Sequence, residues 1–274
     1  MDILQNDLFP AELKQAATIL FERSALAVTL LEQPAVDEVP ICLPPSFAHE
    51  STLLHPQEIL KFASYRLAKR RAEFLTGRIC AKLAIKSFLD SGNLNPPPPL
   101  DKIEIANDPF GRPIINLHDL TDWLPPEISI THGGKYAAAL ATDSPCGIDV
   151  QQQRDNLLRV REKYCSLSEL QLLGKILPNL TTLSCLAMLW TAKEAAKKAL
   201  SSLQMPGFLE LELMQLANDS PNCYSLTMAV MVRDNSRMPQ IVRVLATPFA
   251  DYGLAICILT PTHEMPFSKA PLSS

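Results

Sequence analysis

The sequence predicts an α+β fold made of two similar-sized halves that meet near residue 145. Runs with strand character and runs with helical periodicity are separated along the chain, in the order strand, helix, strands, then helices, strands. Such segregation is typical of α+β proteins. The length of 274 residues suits one large domain or two ordinary domains, and either size can bury a substantial core. We expect residues 1–144 and 145–274 to form the two halves.

The first half is predicted to begin with a strand and to continue with a long helical segment. The strand-like run covers residues 25–31, and four prolines between residues 32 and 45 disfavour a regular element after it. Apolar residues then recur at helical intervals from Pro56, which suits a helix start, to a point just before Gly92. This segment is one long helix or two abutting helices. Further strand-like runs lie at residues 103–106, 112–117, 128–131 and 136–141.

The second half is predicted to open with a strand at residues 146–150. A helical pattern then covers about residues 155–202, with expected breaks at Gly174 and Pro178. Four strand-like runs end the half, at residues 209–213, 224–232, 241–246 and 254–259.

Composition and charge exclude several classes of protein. A net charge of −4 and a pI near 5.8 argue against a general nucleic-acid binder, so any anion site must be local. Seven scattered cysteines without a Cys-x-x-Cys pair indicate reduced thiols and argue against a disulfide framework or a zinc site. The first residues lack a basic leader, and no apolar run approaches the ~20 residues that cross a bilayer. These features predict a cytoplasmic protein that does not span a membrane.

Two acidic residues stand where a metal–phosphate site is expected. Asp149 ends a strand-like run two positions after Gly147, and Glu194 lies between Lys193 and Lys197 in a helical run. Mg²⁺ takes oxygen ligands from one or two carboxylates, substrate phosphates and water. The spacing also predicts that Glu194 and both lysines project from one side of the helix. The alternatives remain open: Asp149 can be an ordinary turn residue, and Glu194 can form a solvated Glu–Lys pair worth ~0.2–0.5 kcal/mol.

A histidine and a basic helix add candidates for anion binding. His132 follows an apolar strand and precedes Gly133, where a ring nitrogen and backbone N–H groups can meet a phosphate. A turn histidine bonded to local backbone is the alternative. Between Lys61 and Lys86 the helical segment also carries one acid, Glu73, against eight basic residues, which either attract a polyanion or acidic partner or only solubilise the helix. These basic residues are Lys61, Arg66, Lys69, Arg70, Arg71, Arg78, Lys82 and Lys86.

Five short segments in this order resemble the 4′-phosphopantetheinyl transferases, and the resemblance spans about residues 55–200. The segments closest to the siderophore-synthase type of the two-domain, Sfp-like group lie in the basic helix and in the middle of the chain. The five segments are Arg71–Arg78, Gly111–Pro113, Ser129–Gly134, Gly147–Asp149 and Trp190–Lys197.

The resemblance implies a reaction in which the phosphopantetheine arm of coenzyme A moves to a serine of an apo acyl or peptidyl carrier protein, with release of adenosine 3′,5′-bisphosphate. It implies catalytic roles for Asp149, Glu194 and Lys197. Asp149 and Glu194 would bind Mg²⁺ or Mn²⁺, Glu194 would accept the serine proton directly or through water, and Lys197 would stabilise the departing bisphosphate. Contacts with coenzyme A are implied for Arg71, Arg78, Arg112, His132, Gly133 and Lys197.

Two positions depart from the family pattern. Gln151 stands where many relatives have a glutamate, so a third metal ligand is reduced to a neutral oxygen donor that water can replace. Gly133 stands where many relatives have serine or cysteine, so it offers only backbone groups.

The resemblance further implies a monomer of pseudo-dimeric form, each half being a small, mostly antiparallel sheet packed with helices, with coenzyme A in the cleft between them. It gives the basic helix a partner, because carrier proteins commonly present acidic helical surfaces. Two other functions stay open: a non-catalytic module that binds coenzyme A or a carrier protein, which Gln151 favours, and a Mg²⁺-dependent phosphohydrolase that uses His132 and the two acids.

Overall fold

The structure, a computed structural model, describes residues 7–22, 25–39, 53–91, 98–116, 124–201, 205–230 and 240–259. These residues form helices and strands that alternate in blocks along the chain. The helices are α1 (Ala11–Leu20), α2 (Pro56–Ser64), α3 (Ala68–Ser91), α4 (Asn156–Arg159), α5 (Leu167–Ile176) and α6 (Thr182–Leu200). The strands are β1 (Leu26–Glu32), β2 (Glu104–Asn107), β3 (Pro113–Asn116), β4 (Glu127–Gly133), β5 (Tyr136–Thr142), β6 (Cys146–Gln152), β7 (Leu211–Ser220), β8 (Cys223–Val230), β9 (Gln240–Phe249) and β10 (Tyr252–Ile258).

The two halves repeat one topology. The repeated part begins with a strand, β1 (after α1) or β6. One or more shorter helices and then a long helix, α3 or α6, follow. The hairpins β2–β3 and β4–β5, or β7–β8 and β9–β10, complete it. In each half the first strand pairs antiparallel with the last, and the last pairs with the strand before it. The resulting sheets have the orders β1-β5-β4 and β6-β10-β9-β8-β7, while β2 and β3 form a separate pair. The predicted α+β class with mostly antiparallel sheets is therefore confirmed.

Each long helix covers one face of its own sheet. In β5, Ala137, Ala139 and Ala141 belong to the core beneath α3, whereas the alternate residues Ala138 and Leu140 belong to a separate core that also includes α1. This alternation follows from the two-residue period of a strand. The small side chains of β5 let α3 approach the sheet closely, and α6 packs over the second sheet in the same way.

Glycine sets the distance between α6 and β6. A Cβ added at Gly147 would lie 1.9 Å from the carbonyl oxygen of Ala195, far inside van der Waals contact. On the neighbouring strand, a Cβ at Gly253 would lie 2.9 Å from Ala187. The helix therefore rests directly on the backbone of β6, and this contact brings the segment that carries Glu194 over the strand that carries Asp149.

The two sheets meet along β4 and β6 through side chains. Ser129 Oγ accepts a hydrogen bond from the backbone N–H of Ile148 at 3.1 Å, and Thr131 Oγ1 accepts one from Val150 at 3.4 Å. The Thr131 hydroxyl in turn donates to Asp149 Oδ1 at 2.8 Å. These bonds satisfy backbone donors at the edge of β6, which otherwise would be buried without partners. They also fix Asp149 against the end of β4.

Most predicted elements are present, with two differences, at Gly174 and at helix α1. The helical segment is two helices, separated at residues 65–67, and the strands predicted in both halves are found. Gly174 lies inside α5 rather than at a break, since a single glycine costs a helix only about 1 kcal/mol; the break falls at Pro178. Helix α1 was not predicted, although Leu13 and Ala17 form a buried stripe one turn apart.

Other predictions have narrower outcomes. Strand β7 runs to Ser220, well beyond the predicted end at residue 213. Six cysteines, all buried, are free thiols, and Cys42 lies outside the described residues. In the described part of the chain, no helix is long and apolar enough to cross a membrane.

Candidate active site

A cavity of about 660 Å³ opens between α2, α3, the β2–β3 hairpin and the end of β4. Its wall combines cationic side chains with two aromatic rings, Tyr65 and Phe74, whose centroids are 5.4 Å apart. A wall of this composition suits an anionic ligand that also carries a flat ring. The charged residues on the wall are Glu58, Lys61, Arg70, Glu73, Arg78, Glu104 and His132.

Arg78 is held firmly in this wall. Its guanidinium lies over the ring of Phe74 at 4.8 Å, donates from Nη2 to Asn107 Oδ1 at 3.2 Å, and approaches Glu58 Oε1 with Nε at 3.7 Å. Burial lowers the pKa of Arg78, and the charge of Glu58 opposes that shift. Among the described residues, Nε has no hydrogen-bond partner. Arg78 is therefore a fixed cation with a donor still to be satisfied.

His132 stands at the end of β4, between the cavity and the junction of the sheets. Its Nδ1 lies 3.8 Å from Glu73 Oε1, and Glu73 also accepts from Arg70 Nη1 at 2.8 Å. Burial lowers the pKa of His132, Lys198 and Arg70 act in the same direction, and Glu73 and Asp149 oppose them. The imidazole is thus mainly neutral at pH 7 and lies where an incoming anion would favour its charged form.

Asp149 carries the most tightly held carboxylate of this junction. Only 11% of its side chain is exposed, and Oδ1 accepts from the Thr131 hydroxyl and from Lys198 Nζ, both at 2.8 Å. Lys198 also donates to the carbonyl oxygen of Ile148 at 2.8 Å. An ammonium group therefore already pairs with this carboxylate.

Glu194 and Lys197 lie on the same helix as Lys198. Lys197 Nζ lies 3.5 Å from Glu194 Oε1 and 4.0 Å from the centroid of the Phe208 ring. The ring centroids of Phe208 and Trp190 are 4.5 Å apart, so Trp190 packs against the ring that makes the cation–π contact with Lys197. Two consecutive lysines thus pair with the two acids, Lys197 with Glu194 and Lys198 with Asp149.

Lys193 lies one turn before Lys197 and both lysines contact Phe208, but Lys193 is enclosed in the core, which corrects the expectation that it projects beside Glu194. Its side chain is fully buried, and Nζ contacts Glu169 Oε1 at 2.7 Å. It also donates to the carbonyl oxygens of Tyr164 and Phe208 at 2.8 and 3.1 Å. Consecutive helix positions differ by about 100°, so Lys193 is enclosed in the core while the side chain of Glu194 is 25% exposed.

Two arginines with implied contacts to coenzyme A lie off the cavity wall. Arg71 is 6% exposed and donates to the carbonyl oxygens of Tyr65 and Arg66 at 3.0 Å each, where it closes the junction between α2 and α3. Its neighbour Arg70 lines the cavity instead. Arg112 pairs with Glu127 at 3.1 Å, although the residues on either side of it, Gly111 and Pro113, do line the cavity.

The remaining two candidates contribute in different ways. A Cβ at Gly133 would lie 2.2 Å from the carbonyl oxygen of Val150, so the close contact of β4 with β6 requires glycine there. The amide of Gln151 donates to the carbonyl oxygen of Gln152 at 2.9 Å.

Three residues that contact the candidate site residues were not singled out in the sequence: Lys198, Glu73 and Thr131. Lys198 had a detectable signal, because it lies four positions after Glu194 and therefore on the same helix face. Glu73 had a weaker one, as the single acid in a basic segment. Thr131 had none, since its role depends on which strand faces β6.

The described residues contain no cluster of three or more His, Cys, Asp or Glu side chains that could hold a metal ion alone. A cation at this junction would therefore have to take ligands from Asp149 and Glu194 together with oxygens from a substrate or water. That arrangement is the usual one for Mg²⁺, which keeps several waters and binds substrate phosphates.

Comparisons with known proteins identify the family of this chain. A model of the 4′-phosphopantetheinyl transferase superfamily matches residues 145–257, which include Asp149 and Glu194. A holo-[acyl-carrier-protein] synthase from Staphylococcus carnosus is 37% identical over 87 residues, which make up 32% of this chain and 70% of that protein. The chain belongs to the 4′-phosphopantetheinyl transferase superfamily.

A second curated relative agrees with this membership. A holo-[acyl-carrier-protein] synthase from Bacillus velezensis is 37% identical over 89 residues, which cover 31% of this chain and 72% of that protein. Among solved structures, a Chronobacterium ammoniagenes ACPS–CoA complex matches 43% of this chain and 96% of that chain, at 22% identity and a TM-score of 0.30. As a member of the 4′-phosphopantetheinyl transferase superfamily, the chain is a transferase. The cavity itself is built from residues before position 145 and lies outside the part matched by the family model.

Proposed function

We propose that this chain transfers the 4′-phosphopantetheine arm of coenzyme A to a serine of an apo acyl or peptidyl carrier protein. One observation carries the proposal: a cavity with a fixed arginine, Arg78, ends at His132, which adjoins a junction where Asp149 binds a cationic group. Coenzyme A has the matching parts, an adenine ring, a 3′-phosphate and a pyrophosphate. Membership of the superfamily supports this reading.

The reaction is a displacement at phosphorus. The serine Oγ of the carrier attacks the phosphorus that bears the pantetheine arm, and the bond from that phosphorus to the oxygen of adenosine 3′,5′-bisphosphate breaks. Glu194 accepts the serine proton, directly or through water, and Lys197 stabilises the charge on the departing oxygen. Because phosphoryl transfer depends mainly on positioning and charge stabilisation, these side chains need only be held in place.

The binding of coenzyme A is assigned to both halves. Arg78 and His132 line the cavity and would contact phosphate oxygens, with Arg70 a better placed partner than Arg71. The backbone at Gly133 and the side chains of Lys197 and Arg112 remain assigned to coenzyme A from the sequence resemblance.

A divalent cation fits the donor set. Asp149 and Glu194 supply the hard carboxylate oxygens that Mg²⁺ or Mn²⁺ prefers, and Asp149 already contacts the ammonium group of Lys198. Bound there, the cation would neutralise the pyrophosphate charge. Gln151 is the weaker third ligand, because its neutral oxygen binds such cations less strongly than a carboxylate.

We further assign the chain to the two-domain, Sfp-like group and to its siderophore-synthase type, as a monomer divided between residues 144 and 145. The repeated topology, with its boundary between β5 and β6, supports the division. The five sequence segments support the group. A monomer then holds a complete site, because residues from β4 and β6 of one chain meet at the junction.

The exposed start of α3 is the proposed docking surface for the carrier protein. Lys69 and Arg70 are 72% and 60% exposed and lie beside the cavity, whereas Arg71 is buried. Reversal of charge at Lys69 and Arg70 should weaken carrier affinity and reduce its dependence on salt. Unchanged affinity and salt dependence would contradict this docking assignment.

The function is tested by release of adenosine 3′,5′-bisphosphate from coenzyme A in the presence of Mg²⁺, with and without an apo carrier. We expect release only with the carrier, and its loss in Asp149→Ala and Glu194→Ala. Lys86→Ala, which alters an exposed pair with Asp90 on α3, is the matched control and should retain full activity. Phosphate release without a carrier would indicate a phosphohydrolase, and binding of coenzyme A without any release would indicate a non-catalytic module. Full activity of both acid variants would refute the metal and base assignments.

A further inference from the structure

Both halves contain the same buried ion pair. In the first half, Glu58 of α2 and Lys82 of α3 approach to 3.1 Å, with side chains 2% and 0% exposed. Lys82 also donates to the carbonyl oxygens of Leu100, at 2.8 Å, and Ile103. Glu58 accepts from the backbone N–H of Ile105 at 3.1 Å. This pair ties two helices and the start of β2 into one unit.

The second half repeats the unit. Glu169 of α5 and Lys193 of α6 lie 2.7 Å apart with side chains 1% and 0% exposed, and Glu169 accepts from the backbone N–H of Leu213 at 2.9 Å. Both acids occupy the third position of a capping box, behind His55 in α2 and behind Ser166 in α5. The interval from acid to lysine is 24 residues in each half. We call these the first and second lysine–glutamate locks.

The locks differ at one position. One helical turn before Lys82 stands Arg78, whose Nε is 3.7 Å from Glu58 Oε1, so the first lock contains two cations and one acid. One turn before Lys193 stands Leu189, which is fully buried in the core of the second half. Glu58 also lines the cavity, whereas Lys82 does not. In the second lock, which has no arginine, the ion pair therefore serves only to join the two helices and the strand.

We propose that Lys82 sets the charge that Arg78 presents to the anionic ligand of the cavity. Lys82 neutralises Glu58, and Glu58 still anchors the guanidinium of Arg78 through proximity, so the three groups together keep one net positive charge. Without Lys82, Glu58 would neutralise Arg78 instead. Lys82 is then a positioning residue that acts through Glu58 and Arg78 without touching the ligand. This inference rests on the proposed function, because coenzyme A is taken as the anion.

The physical basis is the weak screening of buried charges. Water and salt reduce interactions between exposed charges, but three groups that are almost wholly enclosed feel one another at a much lower effective dielectric constant. When the buried ammonium of Lys82 is removed, the negative charge of Glu58 should therefore neutralise the positive charge of Arg78. Since Arg78 lines the cavity and Lys82 does not, a bound phosphate would lie farther from Lys82, and we expect a change in affinity of about tenfold rather than a complete loss.

The test is calorimetric titration of the full-length protein with coenzyme A and with adenosine 3′,5′-bisphosphate. Lys82→Met should weaken binding of both by about tenfold, and addition of Glu58→Gln to it should restore affinity to within about threefold of the unmodified protein. A lysine that only holds the fold gives no such rescue. Glu58→Gln alone should bind at least as tightly as the unmodified protein, and this variant decides the matter if Lys82→Met does not fold.

The second lock supplies matched controls. Lys193→Met and Lys193→Met with Glu169→Gln make the same chemical changes where no arginine is present, and both should bind coenzyme A with unchanged affinity. If Lys82→Met and the unmodified protein bind coenzyme A with equal affinity, this inference is refuted and the proposed function is not. Tenfold weaker binding by Glu58→Gln would have the same consequence. If the unmodified protein binds no coenzyme A, the proposed function fails and this inference fails with it.

Discussion

The second lock gives the clearest prediction about stability. Replacement of Lys193 with methionine keeps most of the length of the side chain but leaves the Glu169 carboxylate enclosed without its cation, since that side chain is only 1% exposed. Glu169 keeps its hydrogen bonds from the backbone N–H groups of Ser166 and Leu213, at 2.8 and 2.9 Å. We therefore expect a large but incomplete loss of stability rather than failure to fold.

The magnitude follows from the 2.7 Å separation of Lys193 Nζ and Glu169 Oε1. At an effective dielectric constant of about 20, two unit charges at this distance attract by about 6 kcal/mol. The remaining N–H donors and local relaxation offset part of this, and removal of one partner of a buried pair typically costs about 3–5 kcal/mol. For a protein of this size each kcal/mol lowers Tm by about 2–4 °C, so Tm should fall by roughly 10 °C.

Urea denaturation, followed by far-ultraviolet circular dichroism, measures the free energy of unfolding of the single and double variants. The double variant Lys193→Met with Glu169→Met replaces the whole pair by apolar side chains and should recover most of the loss, because such replacements are often neutral or stabilising. A single-variant cost below about 1 kcal/mol would refute the buried-charge argument. So would equal costs for the single and double variants.

Three further predictions test other parts of the site. Gly147→Ala should lower the free energy of unfolding by about 1–3 kcal/mol and reduce transfer activity, because the new Cβ would overlap Ala195. Gly174→Ala, with open space around it, should instead stabilise by about 0.5–1 kcal/mol in the same urea denaturation. An unchanged stability of Gly147→Ala would contradict the close packing of α6 on β6. Arg71→Met should lower the free energy of unfolding by about 2–3 kcal/mol and leave the KM for coenzyme A unchanged, because Arg71 is buried. At the exposed neighbour, Arg70→Met should lower that free energy by under about 0.5 kcal/mol and raise the KM several-fold. The reverse pattern would indicate that Arg71, and not Arg70, contacts coenzyme A. Since burial lowers the pKa of His132 and a bound phosphate favours its charged form, coenzyme A binding should take up a proton, so affinity should fall as pH rises from about 6 to about 8. Calorimetry in buffers of different ionisation enthalpy measures this uptake, which should vanish in His132→Gln, and its persistence there would assign it to another group.

Much of the site's framework could be predicted because it depends on local patterns. Asp149 and Glu194 were placed on a strand and a helix by the periodicity of their neighbours, and the structure has them on β6 and α6. His132 was placed at a strand end, and it lies at the end of β4. Local periodicity identifies such elements well, since it reflects which face of each element is buried.

The direction in which each helical side chain points could not be predicted with the same accuracy. Lys193 and Arg71 stood in the motifs as candidate site residues, yet each is buried and bonded to backbone carbonyls. Their neighbours differ: Arg70 lines the cavity, and the side chain of Glu194 is 25% exposed beside Lys197. One position turns a side chain by about 100°, and in these helices both the buried and the functional faces contain charged residues, so composition does not distinguish them.

The repeat of the two halves was also invisible in the sequence. It became evident from strand order and from the two lysine–glutamate locks, whose members share their type, a capping-box position and a 24-residue interval. The capping box Ser166-x-x-Glu169 is a recognisable sequence pattern, but the pairing of each glutamate with a buried lysine leaves no motif. Tertiary contacts of this kind have to be seen in three dimensions.

The central claim is tested most directly by the intact mass of an apo carrier protein after incubation with this chain, coenzyme A and Mg²⁺. We expect the carrier to gain the mass of one phosphopantetheine group, and a carrier with its acceptor serine replaced by alanine to gain none. Asp149→Ala and Glu194→Ala should leave the carrier unmodified. An unchanged carrier mass across a panel of acyl and peptidyl carriers, from an enzyme shown to bind coenzyme A, would contradict it.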